Sequence, residues 1–217
     1  MEYLKKFLKA VRPALTVTLI LMLICGLCYP LFMTGISQMV FPYEANGSLI
    51  SEDGKIIGSE YVGQEFTEDH FMKGRPSSVH YNTYNKDSRG NNIYSDGTSF
   101  AGVSSGCYNY GPSNPELKKR AEGDIEDFLF ANPGISKEEI PTDLLTASAS
   151  GLDPHISPAS AKVQLPAISE ASGISVEKLE QIVKDNTEKK LLGIFGEETV
   201  NVLKVNIDIA KEMKLIK

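Results

Sequence analysis

Cysteine and histidine are both scarce, three of each in 217 residues, and their spacing excludes whole classes of chemistry. Cys25 and Cys28 form a C-x-x-C, but it lies inside an apolar run with no βαβ context and no second ligand pair, so packing is its reading. Cys107 is left without a partner beyond that run, which rules out a disulfide scaffold. His70, His80 and His155 stand in no metal-ligand spacing, which argues against a catalytic metal. The chain also lacks a G-x-x-x-x-G-K-[ST] phosphate loop and the Asp-Lys-Thr-Gly signature of phosphorylated pumps, so it is no ATPase motor by itself. Of the net charge of −6, the first twelve residues carry +3 and the rest −9. An acidic body of this kind does not bind nucleic acid through a basic phosphate-reading surface.

Charge is missing altogether from Pro13 to Tyr43. The run Ala14 to Val40 is long enough to cross a hydrocarbon core of roughly 30 Å at a rise of about 1.5 Å per residue. A cleaved signal peptide is the competing reading, since Lys5, Lys6, Lys9 and Arg12 would supply its positive region. The run exceeds a signal's apolar core, however, and no small-x-small cleavage site follows before Phe41-Pro42. Four basic residues precede the run and none follows before Lys55, which predicts a cytoplasmic N-terminus. The expected organisation is residues 1–12 cytoplasmic, a single transmembrane helix over 13–40 in the cell membrane, and an extracytoplasmic soluble domain over 41–217. Pro30 and Gly35 predict a kink or frayed turn in the outer half of the helix, repaired by packing on a neighbour. Gly26 and Gly35 are not four apart, so a G-x-x-x-G dimer seam is not indicated.

Beyond the membrane the pattern is that of one small α+β domain. Two short apolar stretches flank Glu52-Asp53-Gly54, a turn that predicts a hairpin. Residues 74–114 are dense in Gly, Ser, Asn, Asp, Pro and Tyr, predicting a long irregular segment that its interleaved tyrosines keep ordered. Asn114-Pro115-Glu116 opens a helix whose apolar face is Leu117, Ala121, Ile125 and Phe128, ending at Asn132-Pro133-Gly134. Ser157-Pro158 opens another through Ala161, Leu165 and Ile168 to Gly173, with Pro166 expected to kink it. Ser175 starts a third, aligning Leu179, Ile182 and Val183. Val200 to Ile209 alternates like a strand, yet Asn201 caps a closing helix equally well.

The one cluster with catalytic residue types runs from Thr146 through Ser148, Ser150 and Asp153 to His155. It would make the chain a membrane-anchored extracytoplasmic hydrolase, but triad members ordinarily come from separate elements and no G-x-S-x-G elbow is present. A capped turn leading into the Ser157-Pro158 helix accounts for the same residues. Ser104-Ser105-Gly106 with Gly111 to Pro115 suits an anion cradle and turn chemistry equally. No catalytic, cofactor-binding or metal residue is assigned.

Ordered segments along nearly the whole chain carry a resemblance to a known family. They are Arg12-Pro13-Ala14-Leu15, Tyr29-Pro30-Leu31, Phe41-Pro42, Ala45 to Ile50, Gly63-Gln64 with Phe66, and Gly74-Arg75-Pro76-Ser77. Further on come Gly111 to Pro115, Leu145 to Asp153, His155 to Pro158, Phe195-Gly196-Glu197 and Val200 to Leu203, and in this order the segments resemble the C subunit of the bacterial Kdp potassium-transporting ATPase, the KdpC family. Residues 80–110 are longer and richer in tyrosine than the family's compact Gly-Ser stretch. The resemblance implies a non-catalytic accessory subunit of an ATP-driven high-affinity potassium uptake complex. It implies as partners a potassium-binding channel-like subunit, a P-type ATPase subunit that hydrolyses the ATP, and a small membrane peptide. It also implies the role of a catalytic chaperone for nucleotide binding. With the domain outside and ATP inside, such an effect has to be transmitted through the complex.

Overall fold

In the computed structural model, which describes residues 2–216, the chain falls into two compact units, 1–48 and 49–217. The first is mostly helical among its described residues: α1 (Glu2–Leu23), a π turn over Ile24–Cys28, α2 (Tyr29–Val40) and a single turn, α3 (Pro42–Ala45). Lys9–Val40 is long and apolar enough to cross a membrane, and the described residues of α2 are all unburied. The kink expected at Pro30 takes the form of the π turn, and the helix neither breaks nor frays at Gly35. Pro30 has no N–H and its ring crowds the carbonyl four residues back. One extra residue in the turn relieves this, and the Tyr29 N–H donates to the Ile24 carbonyl, five residues back. The helix stops at Phe41 because a residue before proline is pushed out of the α region, and its φ is −131°.

The second unit is α+β. Strands β1 (Leu49–Glu52) and β2 (Lys55–Ser59) form the predicted antiparallel hairpin, with Asp53 and Gly54 both at positive φ as the tight turn requires. The long segment 74–114 is mostly irregular but carries a miniature hairpin, β3 (Asn85–Lys86) with β4 (Asn92–Ile93). It is ordered by aromatic contacts: Tyr94 stacks on His80 and meets Phe100 edge-on, and Tyr108 stacks on Tyr110. Helix α4 (Pro115–Ala131) follows with Asn114 as its cap, the side chain accepting from the Glu116 N–H.

The remainder builds the core. A three-stranded antiparallel sheet runs β5 (His155–Ile156), β7 (Thr199–Asn201), β6 (Thr187–Glu188) in space. Around it pack α5 (Pro158–Lys162), α6 (Leu165–Ser172), α7 (Val176–Asp185) and α8 (Val202–Glu212). The helix expected to kink at Pro166 instead divides at Val163-Gln164, which places the proline in the first turn of α6, where its missing N–H is no loss. The alternation of Val200–Ile209 resolves into both readings at once. Asn201 ends the strand and caps α8, accepting from the Lys204 N–H. Ile156, Ala161, Leu165, Ile168, Leu179, Ile182, Val200, Val205 and Ile209 form the core, with Met72 delivered into it by the strand-free stretch between β2 and residue 74.

Candidate functional site

Two loop segments distant in sequence meet at a seam on the second unit. Arg75 donates to the Asp153 carboxylate at 2.9 Å and to the Thr146 carbonyl at 3.2 Å. Ser77 Oγ donates to the Gly151 carbonyl at 2.7 Å, and the Ser148 N–H donates to the Pro76 carbonyl at 3.0 Å. From the other side the Gly63 N–H reaches the Leu152 carbonyl at 2.8 Å. Tyr81, buried with a positive φ of 52°, closes the seam by donating its hydroxyl to the Arg75 carbonyl at 2.7 Å. Burial, chiefly, and the nearby Asp153 charge push that phenol far above its ordinary value, so it remains a donor at every physiological pH.

The residues that suggested a triad are committed locally. Ser148 Oγ accepts from the Gly151 N–H, Ser150 Oγ accepts from the Leu152 N–H, and Asp153 accepts from the His155 N–H. Among the described residues no hydrogen bond joins either serine to His155. Instead His155 lies between two carboxylates, Nδ1 3.7 Å from Asp153 and Nε2 3.7 Å from Glu188. Those distances are too long for hydrogen bonds, and Nε2 is buried without one, so the attraction is coulombic. Asp153 first, then Glu188, raises the imidazole's pKa against the opposing effect of burial. Burial also opposes ionisation of Asp153, yet the attraction of the His155 ring and its hydrogen bonds from the His155 backbone N–H and from Arg75 prevail and hold the carboxyl below its usual range.

The raised histidine value fixes a sign. Its contribution to stability is full below the unfolded value of about 6.5 and is lost as pH rises through the higher folded value. Expected, then, is that wild type loses thermal stability relative to His155→Gln as pH is raised from about 6 through 8. Parallel melting curves of the two chains across that range would dismiss the charged imidazole.

The remaining candidates are also used internally. Asn82 pairs with both backbone groups of Ser104, at 2.9 and 3.0 Å, and the Gly106 N–H donates to the Ser150 carbonyl at 2.8 Å. Those amides already have partners within the chain and are not free to cradle an anion. His80 contacts Glu65 at 3.2 Å and His70 packs on Phe71. Among the described residues no three His, Cys, Asp or Glu converge in a metal-binding group. Cys25 and Cys28 lie in the π turn, and Cys107 is half-buried outside any disulfide, its thiol donating to Asn109 Oδ1 at 2.9 Å.

A sequence model described as "K+-transporting ATPase, c chain" (KdpC) matches residues 11–211. The chain belongs to the KdpC family. It is 59% identical over 209 residues to a potassium-transporting ATPase KdpC subunit of Clostridium kluyveri, covering 96% of this chain and 97% of that one. A KdpC subunit of Clostridioides difficile is 57% identical over 214 residues, covering 96% and 100%. One from Caldanaerobacter subterraneus is 42% identical over 204 residues, covering 94% and 96%.

Several of the segments that carry the KdpC resemblance are gathered by the fold. Gly63, Gly74 to Ser77 and Leu145 to Asp153 are the seam itself, while His155 to Pro158 and Val200 to Leu203 supply the adjoining ladder (His155-Ile156 with Val200-Asn201) and the starts of α5 and α8. Glycine is required where the seam is tightest, since a Cβ on Gly63 would lie 2.8 Å from the Asp153 carbonyl oxygen. Glu188 and Tyr81 carry no motif signal, and only the folded ladder and seam reveal them.

Proposed function

We propose that this chain is a non-catalytic accessory subunit of an ATP-driven potassium uptake complex, stabilising the assembly and supporting ATP use by a P-type ATPase subunit. The observation that carries the reading is the family match over residues 11–211, together with relatives named as subunits of a potassium-transporting ATPase. Its partners are the channel-like potassium-binding subunit, the ATPase subunit and the small membrane peptide. The chain crosses the cell membrane once, with residues 1–12 cytoplasmic, 13–40 spanning and 41–217 outside, a topology supported by the basic cluster before the apolar helix. A seam whose polar groups are spent on one another suits a structural subunit better than a hydrolase. On this topology the second unit does not meet cytoplasmic ATP, and its influence passes through its partners.

Potassium-stimulated ATPase activity of the purified complex, measured with and without this chain, tests the role. We expect activity to fall by at least about tenfold without it, a loss of roughly 1.4 kcal/mol in transition-state stabilisation. Full activity in its absence would end the proposal.

A further inference from the structure

Between β6 and β7 the chain projects a loop, 189–198, whose tip carries Leu191, Leu192, Ile194 and Phe195 at 70, 82, 74 and 63% exposure. Together these side chains present on the order of 500 Å² of apolar surface, as much as the largest patch on an ordinary soluble domain. No charged residue lies between Leu191 and Gly196.

The tip is shaped as well as exposed. Leu191 and Phe195 exchange backbone hydrogen bonds at 2.8 and 3.0 Å, and the Gly193 N–H closes the turn on the Lys190 carbonyl at 3.0 Å. The turn places Leu192 at φ +54°, a left-handed conformation that leucine rarely adopts, and Gly193 at +72°. An ordered apolar projection of this kind has its ordering entropy already spent before a partner arrives.

The charges at its base discriminate between a lipid surface and a protein. A loop built to enter an anionic bilayer keeps unpaired basic residues at its rim. Here Lys189 and Lys190 are balanced by Glu197 and Glu198, with Lys190 paired to Glu197 at 3.1 Å. An apolar centre inside a mixed, neutral rim is the anatomy of a protein interface.

The base of the loop also lies near the point where the chain enters this unit. Leu49 pairs with Ser59, and the carbonyl of neighbouring Glu60 accepts from Asn201 of β7 at 2.8 Å. Thr199 is therefore within roughly 20 Å of Leu49 at ordinary strand spacings.

We infer that the 189–198 tip is a docking anchor whose Leu192, Ile194 and Phe195 fill an apolar groove on the extramembrane face of another subunit of the transport complex. This rests on the subunit reading above, and the test separates the two. In the full complex, purified through a tag on this chain, a photo-crosslinking amino acid replaces Ile194 and, as control, the solitary exposed Val103. The expected product is a covalent adduct between position 194 and one transporter subunit, identified by mass spectrometry, with none from position 103. The double substitution Leu192→Asp with Ile194→Asp should lower subunit co-purification at least about tenfold, as loss of a central anchor does. Its melting temperature should stay unchanged, because both side chains are outside the core. An adduct to phospholipid, to a second copy of this chain, or to nothing overturns the docking site, as does full co-purification of the double variant. A wild-type chain that emerges without partners overturns the subunit reading itself, and the inference with it.

Discussion

Replacing Asn206 with leucine is expected to lower the stability of the second unit by about 2–6 kcal/mol. Asn206 is buried on α8, and its amide clasps the backbone of Met72, in the strand-free stretch that follows β2. The Met72 N–H donates to Oδ1 at 2.8 Å and Nδ2 donates to the Met72 carbonyl at 2.9 Å. Leucine has nearly the same size but would leave both Met72 groups buried and unpaired, at roughly 1–3 kcal/mol each. Gln164 repeats the arrangement one residue along, accepting from the Lys73 N–H at 2.8 Å and donating to its carbonyl at 3.2 Å. The two amides stand in for a missing strand and carry Met72 into the core. Urea unfolding of the detergent-solubilised chain measures the loss. An unchanged midpoint in Asn206→Leu would mean that Met72 finds other partners.

Gly151→Ala is expected to cost about 2–5 kcal/mol, for two separable reasons. Gly151 has φ +69°, where a Cβ costs roughly 1–2 kcal/mol. The added atom would also lie 2.6 Å from Val79 Cγ2 and 2.8 Å from the Gly106 carbonyl oxygen, and relieving such overlap costs roughly 1–3 kcal/mol. Gly173 separates the two effects, because its φ is +74° but a Cβ added there would meet nothing within 4 Å. Gly173→Ala should therefore show the conformational cost alone, about 1–2 kcal/mol. Equal losses at the two positions would refute crowding at the seam. The larger loss at Gly151 should come with weaker subunit co-purification if the seam's shape is what partners read.

Much of this was legible from local rules. Asp53-Gly54 announces its hairpin, Asn114-Pro115, Ser157-Pro158 and Ser175 announce their helices, and each cap is realised by a side-chain bond to a nearby N–H. Where the expectation was a kink, at Pro30 and Pro166, proline's two demands were right but the remedy depended on neighbouring residues. A π turn serves the first, and a helix break the second. The ambiguity at Val200 could not be settled locally, because Asn201 is a good strand end and a good cap. Only the pairing of Thr199–Asn201 with both β5 and β6 decides for both.

The seam was not legible. Arg75 and Asp153 are 78 positions apart, and nothing in the sequence says that they meet. Asn206 does leave a trace, as a polar residue on the apolar face of Val202 and Ile209, but its partner is a backbone group 134 positions away. The exposed tip at Leu191 to Phe195 reads in sequence as ordinary core material, since hydrophobicity alone does not tell inside from outside.

By itself, then, the sequence determined the membrane-spanning helix, the caps and turns, and the family, because each depends on residues close in the chain or on their order along it. The tertiary structure alone decided that the serines of the apparent triad serve local amides, that His155 lies between two carboxylates, and that four large apolar side chains stay in solvent. Those outcomes follow from which distant segments compete for the same hydrogen bonds and the same buried volume, and that competition is resolved only when the chain is folded.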